Sequence, residues 1–224
     1  MAGHVLDNPV WHALTTQHAG LALTAEGVAR YPAEIVPFAG VGEPSPRAAN
    51  QLASLIDDAE SVFIVGVAPE PPPGWQLEPK KPVLQMVCNE RTAVVDGPDV
   101  VTMGAEQVAD MIGLTDLVFP GFFRPRTLEM GSYYGIYRGS RLAAMAGERM
   151  RLDGYQELSA VCTHPDYTGR GYAQRLLGVL CNSAFDRGFT PFLHVYADNT
   201  RAIGVYRRLS FTDRAILPFW ALHQ

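Results

Sequence analysis

Residues 161–173 of this 224-residue chain combine the features of a phosphate-binding turn. An apolar run over 158–163 leads into a turn at Pro165, and Gly169 and Gly171 then open a segment with helical periodicity. The free amides of a helix's first turn and the helix dipole both favour an anion. Glycines let the backbone approach that anion closely because they carry no side chain. The segment therefore predicts a phosphate site between a strand and a helix.

Two common phosphate motifs are excluded. A P-loop requires a Lys-Ser/Thr pair after its glycines, and none follows here. A six-residue dinucleotide fingerprint requires a third glycine where this chain has Gln174. The turn by itself predicts an anion without identifying the molecule that carries it.

The elements around the turn are predicted from hydrophobic spacing and from residues that start and stop helices. Asp153-Gly154 is a two-residue hairpin signal, Gly188 is placed to end a helix, and Asn199 is placed to cap another. The predicted elements are strand 100–103, helix 104–118, strands 133–138, 142–150 and 155–163, helix 173–188, strand 191–197, helix 200–209 and strand 215–222.

The turn resembles the signature loop of the GNAT superfamily of acyl-CoA-dependent N-acyltransferases. The family's Gln/Arg-X-X-Gly-X-Gly/Ala pattern is matched by residues 168–173. Thr168 stands where the family has a long polar side chain, so the backbone cradle is kept while that side chain is lost.

A second motif of the same family follows at the expected distance. Its Asn-X-X-Ala-X-X-X-Tyr-X-X-X-Gly-Phe pattern is matched by Asn199, Ala202, Tyr206 and Phe211, with Ser210 in place of the usual glycine. Together the two motifs extend the resemblance over residues 99–224.

The resemblance implies an α/β (α+β) GNAT fold, in which a mixed, mostly antiparallel central sheet with splayed strands is flanked by helices. It implies direct transfer of an acyl group from acetyl-CoA, or another acyl-CoA, to the amine of a small molecule or an amino acid. The alternative is a catalytically silent GNAT-fold module that binds acyl-CoA as a sensor or interaction domain. Both alternatives predict CoA binding, and turnover with an amine distinguishes them.

The resemblance also implies catalytic roles. Tyr206 is expected to protonate the departing thiolate, since a phenol of pKa about 10 and a thiol of about 8.5 are close enough for proton transfer. Glu157 is expected to accept the amine proton, with a pKa raised by apolar neighbours. A solvated strand-edge charge is the competing interpretation of Glu157. Glu148 is a second candidate for the base.

The residues implied to contact the co-substrate lie along the strand, the turn and the second helix. A backbone N–H near Val161 or Cys162 is expected to stabilise the oxyanion. Cys162 itself is interpreted as a small buried strand residue, which favours direct transfer over an acyl-enzyme. The expected co-substrate contacts are Val161, Cys162, Thr163, Thr168, Gly169, Arg170, Gly171, Tyr172, Ala173 and Asn199.

The acceptor is expected to meet an aromatic and cationic loop, residues 119–126. Phe122 and Phe123 would line a pocket, and Arg124 or Arg126 would pair with a substrate carboxylate. Glu148 is also expected to contact the acceptor. The competing interpretation is that the phenylalanines seal the core and the arginines face water.

Composition excludes several functions. A net charge of −5 without a basic cluster argues against nucleic acid, and no apolar run approaches the roughly 20 residues of a membrane span. The six histidines and three cysteines show no metal-ligand spacing. The widely spaced cysteines and the lack of an export signal predict a cytoplasmic location. The oligomeric state, monomer or homodimer, stays open.

Residues 1–98 are predicted to form a smaller α/β segment before the GNAT domain of residues 99–224, with the boundary at Asp96-Gly97-Pro98. Asn8-Pro9 is expected to open a first helix. A second helix over 47–58 and strands over 61–67 and 83–88 follow. This layout resembles the glycine-N-acyltransferase-like branch of the superfamily.

Overall fold

The computed structural model describes residues 3–57 and 60–224. Its first elements are α1 (Pro9–Thr15), β1 (Leu23–Ala25), β2 (Val28–Arg30), β3 (Ala39–Val41), α2 (Pro46–Ala53), β4 (Val62–Val65), β5 (Gln76–Pro79) and β6 (Val83–Cys88). They are followed by β7 (Val101–Met103), α3 (Val108–Val118), β8 (Tyr133–Arg138), β9 (Arg141–Leu152), β10 (Tyr155–Thr163), α4 (Tyr172–Asp186), β11 (Thr190–Tyr196), α5 (Thr200–Arg207), β12 (Phe211–Leu217) and β13 (Phe219–His223).

The main sheet has seven strands in the order β12-β6-β11-β10-β9-β8-β7. Neighbouring strands are antiparallel except β10 and β11, which run parallel. Those two strands pair only between residues 155–157 and 190–192, and beyond this point they separate. The predicted mixed, mostly antiparallel sheet with splayed central strands is confirmed.

Two three-stranded sheets complete the structure, with strand orders β1-β2-β3 and β4-β13-β5. Strands cross the predicted boundary at residue 98 in both directions. Strand β6 lies in the main sheet between β11 and β12, and the C-terminal strand β13 lies between β4 and β5. The boundary in sequence therefore does not coincide with a boundary between sheets.

The predicted final strand over 215–222 is wrong in one respect, because two strands occupy this region. β12 pairs with β6, whereas β13 pairs with β4 and β5 in another sheet. Pro218 lies between them, and a proline has no N–H to donate to a sheet ladder. The chain changes sheets at this residue.

The helices that flank the turn follow their predicted patterns. The apolar stripe of α4, which includes Leu176, Leu177 and Leu180, is fully buried in the main core. Each such leucine contributes about 1.5–3 kcal/mol of burial free energy. The helix ends at Asp186, and the φ of 79° at Gly188 turns the chain so that the Phe189 amide donates to Ala184 O at 3.0 Å. Of the helices in the described residues, none combines the length and apolar character needed to span a bilayer.

The two helices near the N-terminus differ from prediction in detail. Asn8 precedes Pro9 at the start of α1, but its side chain donates to Val41 O at 2.6 Å and does not cap the helix. The helix predicted over 47–58 is α2, which ends at Ala53. Asp58, the last residue of that prediction, lies outside the described residues.

Ser210 follows α5 with a φ of 64°, in the left-handed region. A side chain costs about 1–2 kcal/mol in that conformation, whereas glycine adopts it freely but loses more entropy on folding. We expect Ser210→Gly to raise the free energy of unfolding by about 0.5–1 kcal/mol. Urea denaturation followed by circular dichroism measures the change.

Gly188→Ser is the matched control for this prediction. Gly188 also has a positive φ, 79°, and an added Cβ would meet open space, so backbone strain is the main effect. We expect this variant to lose about 1 kcal/mol. The strain explanation is wrong if Gly188→Ser is destabilised while Ser210→Gly is unchanged.

Candidate active site

The predicted phosphate turn connects β10 to α4. Gly169 and Gly171 have φ values of 77° and 76°, and Gly171 is the N-cap residue of α4. Both glycines are therefore required by the backbone conformation. Within the described residues, no acceptor is found for the amides of Tyr172, Ala173 and Gln174 in the first turn of this helix. These donors are available to an anion.

This turn forms one wall of a cavity of about 450 Å³, referred to below as the loop cavity. Nine of the ten predicted co-substrate contacts line it: Val161, Thr163, Thr168, Gly169, Arg170, Gly171, Tyr172, Ala173 and Asn199. The exception is Cys162, which is buried in a separate apolar cluster. Burial raises the pKa of the Cys162 thiol to about 12, which disfavours the thiolate needed for an acyl-enzyme.

The polar side chains of the turn are largely bound to the turn itself. The Thr168 hydroxyl donates to Pro165 O at 3.1 Å. Arg170 lies over the Tyr167 ring, 5.2 Å from its centre, and donates to Asp166 O at 3.3 Å. Anion binding in the loop cavity thus depends mainly on backbone amides, with the Arg170 guanidinium close by.

A second cavity, of about 430 Å³, adjoins the first and is referred to below as the aromatic cavity. The two share Val118, Val161, Asn199, Ala202 and Tyr206 as lining residues. Asn199 Oδ1 also accepts from the Ala202 amide at 3.1 Å, so this side chain caps α5 while it faces both cavities. The gap between β10 and β11 is where the two cavities meet.

Tyr206 lies at this junction on α5 and is largely buried. Burial raises the pKa of its hydroxyl to about 12. The phenol is therefore protonated over the physiological pH range and can donate a hydrogen bond. With this pKa it is a weaker acid than the ordinary phenol expected from the sequence, so its proton would pass to sulfur only as the C–S bond breaks and negative charge develops there.

The aromatic cavity contains part of the predicted acceptor loop. Phe122 and Phe123 line it, but Arg124 and Arg126 do not. Arg124 folds back to donate to Gly121 O at 3.0 Å, and Arg126 pairs with Glu129 at 2.6 Å on the surface. In the described part of the chain, the arginine that lines the cavity is Arg149, which sequence reasoning missed.

Glu157 is fully buried behind this cavity and forms a two-point ion pair with Arg149, at 2.8 and 2.6 Å. His194 Nδ1 approaches Glu157 Oε1 at 2.7 Å. Burial alone would raise the pKa of Glu157, but Arg149 and then His194 outweigh it and lower the pKa to about 2. The expected raised pKa is thus corrected, because the sequence did not reveal these two partners.

A β-bulge brings Arg149 to Glu157. Regular pairing from the Asp153-Gly154 turn would place Met150 opposite Glu157, but the register shifts between Gln156 and Leu158. Arg149 and Met150 of β9 consequently face Glu157 together. Sequence spacing carries no signal for this bulge, so the partner of Glu157 was not predictable.

Glu148 is also fully buried, but it does not line either cavity. Its carboxylate pairs with Arg187 and accepts from the Ser132 amide at 3.0 Å. A contact with Arg151 at 3.4 Å completes its surroundings. The structure therefore gives Glu148 a role in holding β9 to its neighbours, not one in substrate contact.

A chain of polar contacts continues from Glu157 through His194. Gln85 Nε2 lies 2.9 Å from His194 Nε2 and 2.9 Å from Leu6 O, while Gln85 Oε1 accepts from Arg214 at 2.7 Å. These contacts orient the Gln85 amide as a donor to His194 Nε2. Both ring nitrogens of His194 are therefore engaged, and the imidazole proton is assigned to Nδ1.

One solved structure resembles this chain along almost its whole length. A GNAT-family protein from Novosphingobium aromaticivorans is 36% identical, with 99% of each chain covered and a TM-score of 0.91. The chain belongs to the GNAT family. Residues 133–218 of this GNAT protein also match the family model described as FR47-like protein.

More distant structures share the GNAT fold. A GCN5-related N-acetyltransferase from Kribbella flavida is 17% identical with a TM-score of 0.59, and 95% of each chain is covered. A GNAT-family acetyltransferase from Colwellia psychrerythraea is 16% identical with a TM-score of 0.53, over 80% of this chain and 70% of the other. A comparison with curated proteins gave no match. The glycine-N-acyltransferase-like branch stays a prediction.

The Arg149–Glu157 pair predicts an acid-sensitive stability. The folded-state pKa of Glu157, about 2, lies below the ordinary value of 4.5, so the stabilisation is complete above pH 4.5 and is lost as pH falls toward 2. Glu157→Gln leaves Arg149 buried without its counter-charge, and we expect a loss of about 3–5 kcal/mol at pH 7. Urea denaturation between pH 7 and pH 3 should show this difference shrinking in acid.

Glu129→Gln is the control for that experiment, because it removes an ion pair on the surface. We expect little change in stability at either pH, since exposed ion pairs are screened by water. Equal losses for Glu157→Gln and Glu129→Gln would contradict the importance of the buried pair.

Proposed function

We propose that this protein transfers an acyl group directly from an acyl-CoA, with acetyl-CoA as the first candidate, to the amine of a small molecule. One observation carries the proposal: the loop cavity and the aromatic cavity meet at Tyr206, in the gap between β10 and β11. A transfer between two substrates requires their reacting atoms to come within about 3–3.5 Å of each other. Adjacent cavities with a shared wall allow this.

The loop cavity suits the diphosphate of CoA. The amides of the first turn of α4, a helix of 15 residues, have no acceptor among the described residues and favour negative charge, and Arg170 adds a cation at the rim. Where β11 has separated from β10, the edge of β10 offers backbone groups to an extended amide chain such as pantetheine. The hydroxyl of Thr168 is bound to Pro165 O, so backbone amides take the larger share of the diphosphate.

The transfer forms one bond and breaks another. The amine nitrogen attacks the thioester carbonyl carbon, and the carbonyl electron pair moves onto oxygen, where a backbone N–H of β10 near Val161 stabilises it. When the intermediate collapses, the C–S bond breaks and the sulfur takes the proton of the Tyr206 hydroxyl. The nitrogen releases one proton to water, and Tyr206 regains one from water. The products are an amide and a free thiol.

In this proposal Glu157 is a positioning residue. Its carboxylate is buried and bound to Arg149 and His194, both of which line the aromatic cavity. It orients these two side chains toward the acceptor instead of taking a proton itself. This replaces the base role that the family resemblance implied.

The binding half of the proposal is tested by Gly169→Ala. A Cβ at a φ of 77° strains the turn and projects into the anion site, so we expect the dissociation constant for CoA to rise about tenfold or more. Isothermal titration calorimetry measures it. Gly27→Ala is the control, because Gly27 has a φ of 74° in the turn between β1 and β2, in another sheet, and an added Cβ there would meet nothing within 4 Å. Equal CoA affinity for the two variants would refute this site.

The catalytic half is tested by Tyr206→Phe. Loss of the proton donor should lower kcat for thiol release from acetyl-CoA by about 10²–10³-fold while CoA affinity stays the same. Tyr134→Phe, a half-buried tyrosine outside both cavities, should retain activity. Unchanged kcat in Tyr206→Phe would remove its role as the acid. Tight CoA binding without turnover on any amine would favour the sensor.

A further inference from the structure

The aromatic cavity has walls of aromatic rings drawn from distant parts of the chain. Its rings belong to Phe38, Phe119, Phe122, Phe123, Tyr133, Tyr196 and Phe219. Several pack against one another, as in the stacked pair Phe38–Phe219 with ring centres 6.4 Å apart and the edge-on pair Phe123–Tyr133 at 5.4 Å. Such walls favour a flat, apolar body, because ring–ring contacts add to the burial of apolar surface.

The charge that faces this cavity is positive. Arg149 lines it with 15% of its side chain exposed, whereas its partner Glu157 is fully buried behind the guanidinium. The ion pair therefore turns its positive end toward the acceptor. A nearby positive charge and an apolar surrounding both disfavour an ammonium ion.

The groups that line or adjoin the cavity are also poorly suited to deprotonating an ammonium ion. The carboxylate of Glu157 is occupied by Arg149 and His194, and its low pKa makes it a weak base. His194 uses one ring nitrogen on Glu157 and the other on Gln85. At pH 7, roughly one molecule in 2,500 of an alkylamine with a pKa of about 10.4 is neutral, so such an acceptor would depend on a base.

We propose that the acceptor is an aromatic amine, with its nitrogen attached directly to the ring and uncharged at neutral pH. The ring lies among the aromatic side chains, and the nitrogen lone pair is available for attack without prior deprotonation. This inference rests on the proposed N-acyl transfer and specifies its acceptor.

The test measures thiol release from acetyl-CoA at pH 7.5 with acceptors matched in size. Aniline and cyclohexylamine each have an amine on a six-membered carbon ring, but the ring is flat and aromatic only in aniline, and the nitrogen is protonated only in cyclohexylamine. Benzylamine, phenylalanine and spermidine represent an aromatic alkylamine, an amino acid and a polycation. We expect kcat/KM for aniline to exceed that for each of the others by at least about tenfold, because their nitrogens are mostly protonated.

A variant makes the electrostatic cause testable. Ser159 lines the aromatic cavity on β10, so Ser159→Asp would place a carboxylate there, and Ser159→Asn is its uncharged control of equal size. We expect the aniline-to-benzylamine ratio of kcat/KM to fall about tenfold in Ser159→Asp, since a carboxylate stabilises the ammonium and can accept its proton. The same aniline-to-benzylamine ratio in Ser159→Asn should stay within about twofold of the wild-type ratio. Thermal melting and CoA titration check that both variants fold.

The outcomes separate this inference from the proposed function. The aromatic-amine proposal is overturned if thiol release is at least as efficient with cyclohexylamine, benzylamine, phenylalanine or spermidine as with aniline. N-acyl transfer would still stand in that case. An equal shift in Ser159→Asp and Ser159→Asn would overturn the electrostatic argument for it. Should Ser159→Asp not fold, the wild-type panel decides. No release with any amine would refute the transferase function, and the acceptor proposal with it.

Discussion

The separation of β10 from β11 is the constraint on which both cavities depend. The strands pair over three residues each and then diverge, so their facing edges lose their ladder partners. Backbone amides and carbonyls that are left without partners must meet water or a ligand. A bulge reinforces the divergence, since Ala160 and Val161 together face Ala146 and Ala160 has a φ of 51°. The gap opens directly beside the turn that leads to α4, which brings an anion site and an acceptor cavity together.

The buried pair of Arg149 and Glu157 organises the wall opposite the turn. Removing both charges from water costs several kcal/mol for each ion. The close two-point geometry of the pair and the contact of Glu157 with His194 offset this cost. The same contacts keep Glu157 ionised and leave Arg149 as the cavity's charge. Through Gln85 and Arg214 the polar contacts continue to Asp7, so residues near the N-terminus support the site.

The N-terminal part of the chain also contributes to the acceptor wall directly. The aromatic cavity is lined by Val36, Phe38 and Val65 together with residues from 99–224. Strand β6 sits within the main sheet, and β13 returns to pair with β4 and β5. Acceptor selectivity in our proposal is therefore a property of the whole chain. The loop of residues 119–126 supplies three of its rings, and the other four come from elsewhere in the chain.

Local sequence was sufficient for the turn, for most strands and helices between residues 99 and 224, and for the position of Tyr206. These features depend on nearest-neighbour chemistry: glycines at positive φ, Asn199 capping α5, and apolar spacing along α4. Only the tertiary structure decided the surroundings of Glu157. It also decided that Arg149 lines the aromatic cavity and that Arg124 and Arg126 do not. They depend on a one-residue register shift in β9 and on strands far apart in sequence. A pKa or a cavity wall is set by neighbours in space, and the spacing of residues along the chain does not specify those neighbours.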